Sequence, residues 1–291
     1  QRNHPPEAYA HRAGAVPNPS FFSVASLQRH INNPLLHPNW LDLVARGQKV
    51  PLEPAYFFKV VQQKQLFFMD KSVIDQHLRD GASVVLEGLD MLDPAINVFA
   101  AGLDAGLPCS LVNAVAFFSQ RGNEAYRGHL DSDDVLVIHV AGEKRWRLFA
   151  RQSPRRTNMH DLPPSQMGKQ IADIVLRPGD ALYVRSCVPH VCDTQGSHSL
   201  HLSFDLADRT PPIDQMLLAG VERYLQDCAD SYTPAPEVLD RFGALVLSPA
   251  FKSDMAKRTE QRHAEAAAFR ARIGNTSAVS ALDRLIAPPP S

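Results

Sequence analysis

The middle of the chain consists of short segments in which polar and apolar residues alternate. Turn signals separate some of these segments; Pro178-Gly179-Asp180 is a strong one and Ala141-Gly142-Glu143 is another. Alternation with a period of two predicts half-buried strands, and a series of such short strands predicts a sandwich or a barrel. The predicted strands are Leu111–Phe118, Val135–Val140, Arg145–Phe149, Ile174–Leu176, Ala181–Val184 and Leu200–Leu206.

Helical patterns lie on both sides of this β region. Before it, Lys71–Asp80 and Pro94–Ala105 have helical spacing, and the apolar run Ala82–Glu87 between them predicts a strand. After it, an apolar stripe along Ile213–Cys228 predicts a helix, and Pro249–Arg272 predicts a longer one. We therefore divide the chain into a flexible, proline-bearing N-terminal arm (residues 1–20), a core domain (residues 21–211) and a helical C-terminal segment (residues 212–291).

The composition narrows the functions that such a chain can serve. Among its 291 residues, 30 Lys and Arg face 31 Asp and Glu, a net charge of -1 that argues against a nucleic acid as the direct target. Four cysteines are too few for a disulfide scaffold. No apolar run approaches the ~20 residues of a membrane helix, and residues 1–19 lack the apolar core of a signal peptide. We expect a soluble, cytoplasmic protein that does not bind a membrane.

The stretch Gly128-His129-Leu130-Asp131 is the sharpest indication of chemistry in the chain. Residues two apart in extended backbone project to the same face, so His129 and Asp131 can reach one metal ion. A further histidine, His190, follows 59 residues later (190 minus 129), just past the predicted strand Ala181–Val184. Two imidazoles and one carboxylate are the ligand set of non-haem Fe(II) oxygenases. From the spacing alone, the alternative stays open that His129 is a solvated loop residue.

The residues around these three resemble the core of the JmjC-type cupin oxygenases, and among them the ribosomal oxygenases. The stretch His129–Leu148 follows the pattern of that family: HxD, an apolar strand, then G-x-K/R-x-W-R. Arg177–Val184 followed by His190 is similar to the family's second conserved element, and Ser199–Phe204 to its closing strand. Leu111–Val115 is similar to the strand that leads into the HxD loop. The resemblance covers about residues 81–206.

This resemblance has implications for the fold and for the metal ligands. It implies a mainly β protein with α-helices: a double-stranded β-helix (jelly-roll or cupin) core with N-terminal α/β decoration and C-terminal helices. It also implies that residues 21–211 form the JmjC/cupin oxygenase domain. His129, Asp131 and His190 would be the Fe(II) ligands and hence the catalytic residues.

For the co-substrate, the resemblance implies a pocket for 2-oxoglutarate beside the metal. Lys144 matches the basic residue that holds the distal carboxylate, and a lysine suits this role because a buried anion needs a paired cation. Asn113 and Ser203 match positions that line the pocket with hydrogen-bonding groups. His201 lies in the same predicted strand as Ser203 and faces the same way, so it is a lesser candidate.

The implied activity is a 2-oxoglutarate-dependent dioxygenase that uses O2 to hydroxylate an amino-acid side chain in a protein or peptide. In that reaction 2-oxoglutarate is converted to succinate and CO2, and N-demethylation would be the same step on an N-methyl carbon. One alternative is a tailoring hydroxylase of a biosynthetic peptide or of a free or carrier-bound amino acid. Another is a non-catalytic, metal-binding cupin module. The helical C-terminal segment favours a homodimer.

A zinc site is a further alternative in the same region, because Cys187 and Cys192 flank His190. A structural zinc site needs about four ligands, and no second Cys or His pair follows at the spacing of a zinc finger. We therefore expect the two cysteines to pack as small apolar residues near the rim of the barrel.

Overall fold

The computed structural model of the protein describes residues 8–17, 19–107, 109–120, 122, 126–153, 161–208, 213–227 and 235–273. The strands of this part of the chain are β1 (Tyr9–Arg12), β2 (Leu41–Ala45), β3 (Gln48–Lys49), β4 (Tyr56–Val61), β5 (Lys64–Met69), β6 (Ser83–Leu86), β7 (Cys109–Gln120), β8 (Asp134–Phe149), β9 (Gln170–Leu176), β10 (Ala181–Val184) and β11 (His190–Asp208). The helices are α1 (Val24–Ile31), α2 (Lys71–Arg79), α3 (Leu89–Leu92), α4 (Pro94–Gly106), α5 (Pro164–Met167), α6 (Ile213–Asp227), α7 (Ala235–Leu247) and α8 (Pro249–Ile273).

A nine-stranded sheet is the centre of the fold. Its strands are ordered β1-β10-β8-β11-β7-β6-β2-β3, and β9 pairs with β8 away from this path. The long strands β8 and β11 run antiparallel side by side, from the pair His190 and Leu148 to the pair Leu206 and Asp134. The predicted β region is confirmed, and the helices predicted before and after it are present as α2, α4, α6 and α8.

Strand β8 corrects one prediction about this region. The turn expected at Ala141-Gly142-Glu143 is absent, and the two strands predicted on either side of it form one continuous strand. A β-bulge takes the place of the turn: Ser199 pairs with Gly142 and Leu200 with Ala141, but His201 pairs with His139. Gly142 has a φ of 70°, which a glycine adopts at little cost.

The bulge in β8 has a direct effect on the core. A one-residue shift moves every following side chain to the other face of a strand. Before the bulge Val135 and Val137 are buried, whereas after it Trp146 and Leu148 are buried. The side chains that point into the apolar cluster therefore change from odd-numbered to even-numbered residues. All four belong to a single apolar cluster that also includes Leu182 of β10. The bulge therefore keeps both halves of β8 packed on one side of the sheet.

The N-terminal region contains several elements that the sequence pattern does not predict, among them an edge strand and a hairpin. Tyr9–Arg12, inside the predicted flexible arm, forms the edge strand β1 and pairs with β10 from Val184 to Ala181. Strands β4 and β5 form a separate two-stranded sheet in which Phe57 lies opposite Phe68. This hairpin lacks a clean period of two because adjacent phenylalanines place apolar side chains on both faces.

The chain divides into two compact units. The first comprises Gln1–Leu103 and Leu111–Ala207, and the second comprises Asp104–Ser110 and Asp208–Ser291. The second unit is helical, and its apolar cluster is formed by Ala219, Phe251 and Met255. Helix α7 belongs to this unit and was not predicted. Of the described helices, none combines the length and the apolar character that a bilayer crossing requires.

Candidate metal centre

Three predicted metal ligands meet at one end of the sheet in the first unit. One ligand atom from each of His129, Asp131 and His190 lies within 4.8 Å of the ligand atoms of the other two. The Nε2 atom of His190 is 3.7 Å from Oδ2 of Asp131, and the two imidazole centroids are 4.2 Å apart. These separations suit three side chains that hold a single cation.

Backbone hydrogen bonds bring the two distant segments together. His129 N–H donates to the carbonyl of His190 at 3.0 Å, and His190 N–H donates to that of His129 at 2.8 Å, which makes an isolated antiparallel bridge. Cys187 N–H donates to the carbonyl of Asp131 at 2.7 Å. The extended backbone of the HxD segment then projects His129 and Asp131 to the same side, as the spacing predicted.

Carbonyl groups fix how the two imidazoles present their nitrogens. His129 Nδ1 lies 2.8 Å from the carbonyl oxygen of Arg127, and His190 Nδ1 lies 3.0 Å from that of Val188. A carbonyl only accepts, so each Nδ1 carries a proton, and in a neutral ring Nε2 then keeps its lone pair. Burial lowers the pKa of His190 to about 4, so this ring is neutral near pH 7. Neutral rings oriented through Nδ1 are the form in which histidine binds a metal.

Six aromatic side chains form a closed circuit around the site. Trp146 stacks on His190 at 5.4 Å between centroids, and its other neighbour is His201 at 5.6 Å. The circuit runs through Phe117, Tyr126, His129, His190, Trp146 and His201 and returns to Phe117. Each ring is held by two ring neighbours, so the wall of the site is rigid.

This circuit surrounds a cavity of about 460 Å³. Lys144 and Ser203 both line this cavity, and Lys144 is only 2% exposed. They lie on the paired strands β8 and β11, so a charged amine and a hydroxyl face a cavity that also holds the three candidate ligands.

Besides Asp131, the carboxylates of Asp205, Glu87 and Asp133 line the cavity, and the sequence analysis assigns no role to them. Burial, together with the negative charges of Asp131, Glu87 and Asp133, raises the pKa of Asp205 to about 7. Glu87 and Asp133 also line the cavity, and burial raises the pKa of each. Strand alternation was the available signal for Asp205, because it is two residues past Ser203 and hence on the same face.

Asn113 is placed differently from Lys144 and Ser203. Its Nδ2 donates to Oε2 of Glu87 at 2.6 Å, and its Oδ1 accepts from the backbone N–H of Gly88 at 3.0 Å. Glu87 lines the cavity, whereas Asn113 is not among the described lining residues. Asn113 therefore binds a residue of the cavity wall, Glu87, and is not itself a described lining residue.

The two cysteines near His190 behave as apolar residues. Cys187 packs in a buried cluster with Leu130 and Met167. Burial raises the pKa of Cys192 to about 12, so without a bound metal this side chain is a thiol. The metal-ligand group found in the described part of the chain consists of the two histidines and Asp131 and includes no cysteine.

Comparison with known proteins shows similarity between part of the chain and a known family. Residues 97–213 match the family model of the JmjC domain. Over 135 residues the chain is 33% identical to the bifunctional lysine-specific demethylase and histidyl-hydroxylase NO66 of Drosophila grimshawi, a match that covers 45% of this chain and 18% of that protein. It is 30% identical to ribosomal oxygenase 2 of Rattus norvegicus over 96 residues, 32% of this chain and 21% of that protein. The chain thus spans about a fifth of the length of these curated relatives.

Solved structures share the fold over most of the chain. The structure of ycfD from E. coli aligns with a TM-score of 0.55 at 17% identity and covers 86% of this chain and 67% of its own. That ribosomal oxygenase in complex with cobalt and 2-oxoglutarate aligns with a TM-score of 0.53 at 16% identity, covering 84% and 64%. The predicted cupin fold, with its N-terminal decoration and C-terminal helices, is confirmed. Over residues 97–213 the chain is similar to the JmjC domain, and among curated proteins it is similar to the ribosomal oxygenases.

Proposed function

We propose that this protein is an Fe(II)- and 2-oxoglutarate-dependent oxygenase that hydroxylates an amino-acid side chain in a protein or peptide. The observation that carries this proposal is that one cavity holds both a two-histidine, one-carboxylate group and a buried lysine. The first suits a divalent iron and the second suits a dicarboxylate co-substrate.

The donor set fits the metal by its chemistry. His129 and His190 would bind Fe(II) through Nε2, and Asp131 would supply an anionic oxygen. Three protein ligands leave positions open for a co-substrate and O2. When bound, Fe(II) and 2-oxoglutarate supply the oxidation, in which O2 delivers one oxygen atom to the substrate and one to succinate, with release of CO2.

The residues of the chain bind and orient the reactants. Lys144 pairs with the distal carboxylate of 2-oxoglutarate, and its burial makes that pairing strong because little water competes. Ser203 offers a hydroxyl on the neighbouring strand. Asn113 acts indirectly: its amide fixes Glu87 at the cavity wall. Trp146 stacks on His190 and keeps that ligand in its orientation.

The substrate class follows from the relatives' names and needs a direct test. Because similar proteins are named ribosomal oxygenases and histidyl-hydroxylases, ribosomal proteins are the first substrates to try. We expect mass spectrometry to detect one added oxygen atom on a ribosomal protein after incubation with enzyme, Fe(II), 2-oxoglutarate and O2, and none with His129→Ala.

Other outcomes of this experiment select the alternatives. Release of formaldehyde with loss of a methyl group would indicate N-demethylation. Turnover only with small peptides or amino acids would favour a tailoring hydroxylase. A protein that binds metal and forms no succinate with any of these substrates would be a binding module, and the proposed activity would be wrong.

A further inference from the structure

A second cavity beside the metal centre is lined by arginines. It has a volume of about 450 Å³, and Arg46, Arg127 and Arg147 all contribute to its wall. No carboxylate is among its described lining residues. The proposed function assigns no role to this cavity, which we call the arginine cavity. Three like charges around one opening repel one another, and an anion placed among them relieves that repulsion.

The turn between β2 and β3 carries the first of these arginines. Arg46 and Gly47 form the two-residue connection between the strands, and their φ angles are 54° and 78°. Asn or Gly usually occupies such left-handed positions, so the turn itself does not explain an arginine. A Cβ on Gly47 would lie 3.0 Å from Cγ of Arg127. The side chain of Arg127 therefore lies against the same turn that carries Arg46.

An ion pair fixes the third arginine and leaves the charges of the other two available. Arg147 lies on β8, and its Nη2 donates to Oδ1 of Asp193 on β11 at 2.9 Å. Arg46 and Arg127 are exposed, and neither forms an ion pair with another residue in the described part of the chain. Each guanidinium offers a planar pair of N–H donors that matches the two oxygens of a carboxylate.

The arginine cavity shares a wall with the cavity of the metal centre. Gly47, Tyr126 and Cys192 line both cavities. Gly128, which directly precedes the candidate ligand His129, also lines the arginine cavity. Each residue of an extended peptide advances by about 3.3 Å. A peptide that places one side chain at the metal can therefore place a side chain a few residues away in the arginine cavity.

The two cavities differ in charge, which distinguishes among anionic ligands. Five carboxylates and two lysines line the cavity of the metal centre. A nucleic acid has a phosphate at every nucleotide, and its backbone would be repelled by these neighbouring carboxylates. A peptide can instead place one carboxylate among the arginines and neutral residues elsewhere. The observations therefore favour a single carboxylate on a peptide.

We propose that the arginine cavity binds the carboxylate of an aspartate or glutamate in the substrate peptide and so helps to determine which peptides are oxidised. The inference rests on the proposed function, because it takes the group oxidised at the metal to be a side chain of a protein or peptide. In this arrangement Arg46 and Arg127 pair with the carboxylate, and Arg147, held by Asp193, completes the positive wall.

Selection from a pool of short synthetic peptides of randomised sequence tests the proposal without turnover. The whole chain, loaded with Co(II) and 2-oxoglutarate, is immobilised, and the retained peptides are sequenced by mass spectrometry. We expect Asp and Glu to be enriched about tenfold over Asn and Gln in the peptides that wild type retains. The double variant Arg46→Gln, Arg127→Gln lacks both charges, and its enrichment should fall to about twofold or less.

Arg145 provides a matched control on the same strand as Arg147. Its Nε donates to Oδ1 of Asp173 at 2.7 Å, and it is not among the described lining residues of either cavity. Arg145→Gln removes the same charge and should enrich acidic peptides as wild type does. The single variants Arg46→Gln and Arg127→Gln serve if the double variant does not fold, and each should lose part of the enrichment.

Several outcomes would overturn the inference. One is the absence of acidic enrichment in wild type, and another is equal enrichment in the double variant. Binding of a single-stranded oligouridylate that is lost in the double variant, without an acidic preference among peptides, would assign the arginines to a nucleic acid instead.

Calorimetric titration of the Co(II)-loaded wild type with 2-oxoglutarate tests the proposed function separately. Co-substrate binding without acidic enrichment would refute the peptide inference alone. If 2-oxoglutarate does not bind, the proposed function itself is wrong.

Discussion

Lys144 is the residue whose burial most needs an explanation at the scale of single side chains. A lysine is rarely this buried unless its charge is paired or used. Lys144 lies on the face of β8 that also carries Trp146, and both line the candidate site. In the proposed enzyme this charge sets the affinity for the dicarboxylate, whereas the three ligand side chains set the affinity for the metal.

The first prediction separates these two functions. Lys144→Ala should weaken 2-oxoglutarate binding by about ten- to a hundredfold, since a charged hydrogen bond is worth about 1.5–3 kcal/mol. Isothermal titration calorimetry of the Co(II)-loaded protein measures this affinity, and Co(II) binding without co-substrate should stay unchanged. Lys144→Arg is the control, because it keeps the charge. Equal 2-oxoglutarate affinity in the alanine variant would remove Lys144 from the pocket.

The second prediction concerns pH and His139. Burial lowers the pKa of His139 to about 4, from an unfolded value near 6.5. Between these values the unfolded chain binds the proton and the folded protein does not, so folding stability falls as pH drops from about 6.5 to about 4. The contribution lost is on the order of 3 kcal/mol. Urea unfolding across this range should show that His139→Gln has a shallower dependence, and parallel curves would contradict the prediction.

Single residues also show how far the sequence can be interpreted. His129, Asp131, His190 and Lys144 were identifiable because spacing and a family resemblance mark them, and all four line the cavity. The raised pKa of Asp205 was not, since alternation indicates a face of a strand but says nothing of the charges around it.

Strand β8 determines the site at the scale of elements. Its bulge changes which positions point inward, and so brings Lys144 and Trp146 to the same side of the sheet as Val135 and Val137. The sequence analysis predicts a turn at Gly142 because a glycine between two strand-like segments is typical of a turn and of a β-bulge alike. The pairing of β8 with β11 distinguishes a bulge from a turn, and that pairing is not visible in the local sequence.

The third prediction tests this bulge. A Cβ on Gly142 would lie 1.9 Å from the carbonyl oxygen of His198, and its φ is +70°. We expect Gly142→Ala to destabilise the protein by about 3 kcal/mol or more and to weaken 2-oxoglutarate binding through displacement of Lys144. Gly196→Ala is the matched control, because nothing lies within 4 Å of its added Cβ. Equal unfolding midpoints for both variants would show that the bulge tolerates a side chain.

The whole molecule combines the sheet unit with a helical unit whose function stays a prediction. Within the helical unit, the second and third turns of α6 expose Leu217, Leu218 and Val221, of which Leu218 is 61% exposed. The sequence analysis predicts an apolar stripe along this helix and favours a homodimer. Exposed apolar side chains on neighbouring positions of a helix mark an interaction surface. We propose that it is the surface of a homodimer.

The fourth prediction follows from this surface. Light scattering after size exclusion should give twice the 32.2 kDa of one chain. Leu218→Glu should shift the mass toward that of a monomer, because burying a charge in an apolar contact is costly. Leu239→Glu on α7, where the side chain is 69% exposed, is the comparison variant. A monomeric wild type would contradict the proposed dimer and leave the metal centre unaffected.

The most direct test of the central claim is an anaerobic titration of the metal-free protein with Fe(II) and 2-oxoglutarate. Chelation of iron by the keto acid produces a visible charge-transfer band. We expect this band in the wild type, a strongly reduced band in His190→Ala, and a higher co-substrate requirement in Lys144→Ala. A folded, iron-bound wild-type protein that develops no band would contradict the assignment of this cavity to Fe(II) and 2-oxoglutarate.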